Sequence, residues 1–255
     1  MSATTISKIS DTQGNKIHPW RKCPIGKHLV REHIVHVPPS KTHPNGITST
    51  WHEHCAANPS HKDELSYAEI QHITETHFST LTTEGESGPT AGVLTEFSSG
   101  DKYDNQIRGW VRYWNEVFNP INPLDPNLIK ALIATESSFD PRKVASRKDI
   151  GHARGLMQII DQTWRILGDH KGELKNHLIP LMEKELFDPS ANICVGIRWL
   201  FRKKETASGR LKREATWDEA IEDYKSILKK RIDGKKYNPK PMNDIHDYYK
   251  RLQGK

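Results

Sequence analysis

The chain has 255 residues, 35% of them hydrophobic and 27% charged, with a formal net charge of +6. No apolar run approaches the roughly 18 residues of a membrane-spanning helix, and there is no sustained repeat or heptad, so the chain reads as a soluble globular protein. Residues 1–100 carry 8 Lys and Arg against 10 Asp and Glu, and residues 101–255 carry 30 against 22; that basic half suits an anionic partner or a lysine-rich soluble face.

From the amino terminus, residues 28–37 (HLVREHIVHV) are rich in β-branched residues and end at Pro38-Pro39, as a strand does. Pro44-Asn45-Gly46 signals a turn, and Ile47 to His54 reads as a second strand. Ser66 to Phe78 reads as a helix with Ser66 as N-cap and Glu69 three residues on. Residues 1–80 are therefore expected to form a small α/β module. Residues 81–103, dominated by Gly, Ser and Thr, read as a linker.

Beyond it the periodicity becomes helical, and residues 104–255 are expected to be an all-helical domain in a mainly α protein. Ile107, Trp110, Val111, Trp114, Val117 and Phe118 make one apolar face. Asp125-Pro126 and Asp188-Pro189 each open a helix with a cap and a proline at its first position, the second leading into Ile193, Ile197, Leu200 and Phe201. Thr216-Trp217-Asp218-Glu219 is a capping box before Ile221, Tyr224 and Leu228.

In the helix PNLIKALIATESSFDP the stripe Ile129, Leu132 and Ile133 continues to Glu136. A carboxyl held against apolar neighbours near a helix C-terminus has its charged form disfavoured, as a general acid for glycosidic cleavage requires. The alternative is a glutamate that turns out to solvent at the helix end. Further on, Gly155-Leu156-Met157-Gln158-Ile159 places a glycine, suited to close backbone approach by a ligand, beside an amide that both donates and accepts.

Together with Glu136-Ser137 and with Asp188-Pro189, Asn192-Ile193 and Gly196, in this order and spacing, that segment resembles the lysozyme-like superfamily of peptidoglycan glycosidases, namely soluble lytic transglycosylases and goose-type lysozymes. The resemblance covers about residues 105–230. It implies a lysozyme-like fold, Glu136 as catalytic acid, and Ser137, Gly155, Met157, Gln158 and Asn192 at the substrate. Where lytic transglycosylases carry Ala-Tyr-Asn-Ala-Gly, this chain has Glu222-Asp223-Tyr224-Lys225-Ser226. Only Tyr224 is carried over as a groove residue, and core packing with Ile221 and Leu228 is the other reading of it.

Lytic transglycosylases manage with one acid, because the substrate's acetamido group assists and a 1,6-anhydro product forms. Hydrolysis with inversion needs a second carboxylate about 6.5–9.5 Å away to activate water. Asp149, 13 residues after Glu136 in a polar loop, resembles that second carboxylate of goose-type lysozymes, with an ion pair to Arg147 or Lys148 as its alternative role. Asp161 is the reserve. The expected activity is therefore a muramidase cleaving the MurNAc–GlcNAc β-1,4 bond, with lytic transglycosylation as second reading and a non-catalytic wall-binding adaptor as a competing class.

Ten of the 14 histidines precede residue 78. Cys23, His28, His52, His54 and Cys55 invite zinc, since His52 and His54 on an extended strand point to one side. Such a module would be a zinc amidase or peptidase with Glu53 or Glu32 as base, a structural site, or a docking module. The three cysteines, Cys23, Cys55 and Cys194, do not suggest a disulfide framework. Met1 to Ser10 lacks the apolar segment of a secretory signal. Synthesis in the cytoplasm and delivery to a target periplasm are expected, in the manner of type VI secretion effectors. The expected partners are peptidoglycan, an immunity protein and a secretion-apparatus component, and neither nucleic acid nor membrane.

Overall fold

The computed structural model describes residues 17–81, 94–147, 151–174 and 176–254. The expected linker lies largely outside these, over residues 82–93. None of the described helices is long and apolar enough to cross a membrane.

The amino-terminal part is built from two antiparallel hairpin-like pairs. Strand β1 (Lys27–Val30) pairs with β4 (His54–Ala57), and β2 (His33–Val37) pairs with β3 (Ile47–Trp51). Each of the two strands expected from sequence is thus split, the first by Arg31-Glu32 and the second by His52-Glu53. His52 consequently sits between strands, so the single extended strand on which the His52 and His54 expectation rested is interrupted there. Helix α1 (Tyr67–His77) follows, with the Ser66 hydroxyl accepting from the Glu69 N–H as the capping pattern indicated.

Helix α1 does not build a core of its own. Ile70 and Ile73 are fully buried in the same core as Trp110, Trp114 and the helices after them. Arg21 fastens the segment before β1 to this helix, with its Nε 2.9 Å from Glu69 and a second ion pair to Asp63.

Helix α2 (Asp104–Phe118) buries the expected face, and its indoles reach across to α5 (Pro189–Leu211): Trp110 Nε1 donates to Ser190 Oγ at 2.7 Å and Trp114 Nε1 to the Cys194 carbonyl at 3.1 Å. Helix α3 (Pro126–Ser137) departs from the expected single stripe. Asn127 to Ala134 are all buried, so the helix is covered on every side. Its buried Lys130 is satisfied by Asp101 at 2.6 Å and Asp104 at 2.8 Å, as a charge in that position must be.

The carboxy-terminal half is not all-helical. Strands β5 (Val144–Arg147), β6 (Gly151–Arg154) and β7 (Ile159–Ile160) form a three-stranded antiparallel sheet between α3 and α4 (Asp161–Gly168). Helix α6 (Trp217–Tyr224) begins at the Thr216–Glu219 capping box and ends earlier than its apolar pattern suggests. Ser226 takes a left-handed conformation at φ 59°, which separates α6 from α7 (Leu228–Ile232). Helix α8 (Lys240–Leu252) returns to α3, and Tyr249 donates to the α3 cap Asp125 at 2.7 Å.

Candidate active site

Three chain turns converge on one cavity of about 290 Å3. The last turn of α3 supplies Glu136, the turn between β6 and β7 supplies Gln158, and the break after α6 supplies Tyr224, Lys225 and Ser226. Thr163 of α4, Trp199 of α5, Lys230 of α7 and the connection carrying Tyr237 and Asn238 also contribute to the lining. Glu136 is the one carboxylate among the described residues lining the cavity.

Glu136 is not surrounded only by apolar groups as its stripe suggested. The Lys225 ammonium donates to its Oε1 at 2.8 Å, and the two side chains are only 12% and 10% exposed for Lys225 and Glu136 respectively. Lys225 is placed there by the end of α6, where its N–H donates to the Ile221 carbonyl at 2.8 Å and Ser226 reverses the chain. Tyr224 holds the same turn from the other side, donating its hydroxyl to the Met157 carbonyl at 2.6 Å. Tyr224 lines the cavity and also packs against the core.

Gln158 sits at φ 51° and donates from Nε2 to the Gly155 carbonyl at 2.9 Å and the Lys143 carbonyl at 3.2 Å. Its amide shapes the turn as well as lining the cavity. The remaining residues expected at the substrate are elsewhere. Met157 is fully buried and packs on Gly196, where any Cβ would collide with its sulfur. Gly155, at φ 75°, accommodates Asn192 and the Leu186 carbonyl, not a ligand. Asn192 is fully buried, accepting from the Met157 N–H at 2.7 Å and donating to the carbonyls of Leu186 at 2.7 Å and Arg154 at 3.0 Å. Ser137 is buried and donates back to the Ile133 carbonyl at 3.3 Å. Gly155, Met157 and Asn192 build the turn that presents Gln158, Ser137 closes the end of α3, and none of the four is among the residues lining the cavity.

Asp149 lies outside the described residues. Its reserve, Asp161, is already engaged: it accepts from the His152 N–H at 3.0 Å and pairs with Arg154. The His152 N–H, and beyond it the Arg154 guanidinium, outweigh burial and hold its carboxyl below the usual range. It is not among the residues lining the cavity.

The metal expectation meets a covalent obstacle. Cys23 and Cys55 are joined in a disulfide, Cα to Cα 5.6 Å, so neither is a thiolate ligand. His28 bonds to Asn58 at 2.8 Å, His52 to Glu32 at 2.9 Å, and His54 to the His52 carbonyl at 2.8 Å. Glu53, the other base considered, pairs with Lys22. Among the described residues no group of three or more His, Cys, Asp or Glu side chains is arranged to hold an ion. The disulfide was missed because two cysteines 32 positions apart carry no pairing signal in sequence.

Lys225 was also missed as a site residue. Its signal was the departure of Glu222 to Ser226 from the expected Ala-Tyr-Asn-Ala-Gly pattern, with a cation directly after the retained tyrosine. Trp199 was hidden by lying beside the buried stripe of α5.

Residues 119–242 match the family model described as the transglycosylase SLT domain, and every residue lining the cavity falls inside that stretch. No curated protein matches the chain.

Proposed function

We propose that residues 119–242, which match the transglycosylase SLT domain model, act on peptidoglycan as a glycosidase of the lysozyme-like kind, with Glu136 as general acid. The bond cleaved is the β-1,4 linkage between MurNAc and GlcNAc. One observation carries this reading: Glu136 is the single described carboxylate in the cavity, at the end of a helix held on every side.

One acid is enough for lytic transglycosylation. Glu136 donates a proton to the glycosidic oxygen as its bond to C1 breaks, and the acetamido group supports C1. The 6-hydroxyl then closes on C1, returning its proton to the Glu136 carboxylate. Tyr224 and Gln158 hold the walls against which the sugar is positioned. The hydrolysing alternative uses Asp149 to activate water and gives reducing ends in place of 1,6-anhydro ends.

Glu136→Gln is expected to lower turnover of sacculi by about 10²- to 10⁴-fold, far beyond the fraction of folded protein lost as read from thermal unfolding. Mass spectrometry of the wild-type digest then assigns the route, with 1,6-anhydro ends supporting the single-acid reading and reducing ends replacing it by hydrolysis. Full turnover by the Gln variant overturns the role of Glu136.

The Cys23–Cys55 bridge supports action outside a reducing cytoplasm, consistent with the periplasm. Action as an antibacterial effector, with an immunity protein and a secretion apparatus as partners, rests on a small amino-terminal part preceding a wall-cleaving domain. Killing of neighbouring cells that vanishes when secretion is disabled is the expected result, and killing that persists overturns it.

A further inference from the structure

Two lysines line the cavity, the nearly buried Lys225 and the exposed Lys230, and glycosidic cleavage by itself requires neither. Lys225 pairs with Glu136 at 2.8 Å, and Lys230 lines the same cavity without an ion-pair partner among the described residues. With Glu136 as the single described carboxylate in the lining, positive charge is in excess where a neutral sugar would sit.

The pair also opposes the chemistry as it stands. Glu136 Oε1 accepts from the Lys225 ammonium, and a carboxylate paired in this way has no proton of its own to give the glycosidic oxygen. Moving the ammonium away without a new partner would leave a nearly buried charge uncompensated, which is strongly unfavourable. Exchanging one carboxylate for another avoids that penalty. The backbone at Lys225 is fixed by the Ile221 carbonyl and by Ser226, so the exchange needs only a swing of the side chain.

We propose that Lys225, assisted by Lys230, determines substrate specificity by receiving a carboxylate borne on the muramic residue, and that this exchange releases Glu136 to take up a proton from solvent and pass it to the glycosidic oxygen. The carboxylate is that of the lactyl arm where the peptide has been removed, or one on the peptide stem. A glycan without it leaves the Lys225–Glu136 pair closed. The inference rests on the cavity being the site of glycan cleavage.

The test uses the full chain on three glycans: peptide-bearing strands, strands stripped of peptide, and stripped strands whose carboxylates have been converted to carboxamides. A charge-assisted hydrogen bond corresponds to about tenfold or more, so wild-type kcat/KM is expected to fall by at least about that factor on the carboxamide glycan. Lys230→Met is expected to raise KM on the charged glycans with kcat little changed, and Lys225→Met to remove the discrimination, which Lys225→Arg restores. Faster cleavage of stripped strands assigns the lactyl carboxylate, and faster cleavage of peptide-bearing strands assigns the stem.

Equal wild-type rates on all three glycans, with Glu136→Gln inert on each, overturn the carboxylate role and leave the cleavage reading standing. An active Glu136→Gln removes the cleavage reading instead. The wild-type comparison decides even where a lysine variant does not fold.

Discussion

Asn192 has no exposed surface, and its amide serves three backbone groups at once, the Met157 N–H and the carbonyls of Arg154 and Leu186. Truncation to alanine strands all three in a dry interior, where each unmet polar group costs about 1–3 kcal/mol. Asn192→Ala is therefore expected to lower unfolding stability by about 3 kcal/mol or more, read from urea denaturation, and to lower turnover through the displaced Gln158. Single positions were unevenly legible in the sequence. Glu136, Gln158 and Tyr224 come together in the cavity as the motif spacing suggested. Gly155, Met157 and Asn192 carry the same family resemblance for a different reason, because they shape the turn behind the cavity. A motif records which residues occur together and does not separate those that touch ligand from those that hold the backbone. The departure at Lys225 was visible in the sequence but its partner was not, because its role arises from a contact between residues 89 positions apart.

Helix starts were the most legible elements, since a cap is a local hydrogen bond between neighbours in sequence. Asp125 accepts from Asn127, Asp188 from Ala191 and Thr216 from Glu219, each where the sequence placed it. Thr216→Ala is expected to lower stability by about 1 kcal/mol, checked by chemical denaturation. Its effect on turnover should exceed that loss of folded protein, because α6 ends at Lys225. Helix ends and short strands were less legible. The stop of α6 depends on Ser226 adopting a left-handed conformation that a serine does not announce. The sheet β5–β7 was hidden because its strands run two to four residues, too short for an alternating pattern.

At the scale of the whole molecule, the amino-terminal segment is pinned to the helical body by buried ionisable groups. His18 Nδ1 accepts from the Trp20 N–H at 3.2 Å, which leaves the proton on Nε2, 2.9 Å from Glu116. Burial pushes this imidazole down from 6.5 to about 4, with the Glu116 carboxylate opposing and the neighbouring Arg112 and His77 adding to the fall. Below pH 6.5 the unfolded chain takes up a proton that the folded chain refuses until about 4, so stability must fall with pH across that window. His18→Asn, which keeps an acceptor for Trp20, is expected to flatten the slope between pH 6.5 and 4 in denaturant titrations. An unchanged slope would remove His18 as its source. Below that window Asp63 takes over: burial raises its carboxyl, but His177 and Arg21 together overcome this and hold it at about 2.

The Cys23–Cys55 bond closes a ring around β1, β2 and β3, and Arg21, two positions outside it, is clamped to Asp63 and Glu69. Before the sulfurs join, this stretch hangs from the body by pairing and packing alone; afterwards no thermal fluctuation can peel β4 away from the segment before β1. The polypeptide thus has two mechanical grades, written by the oxidant it has met, and the sturdier one offers a protease less slack to cut.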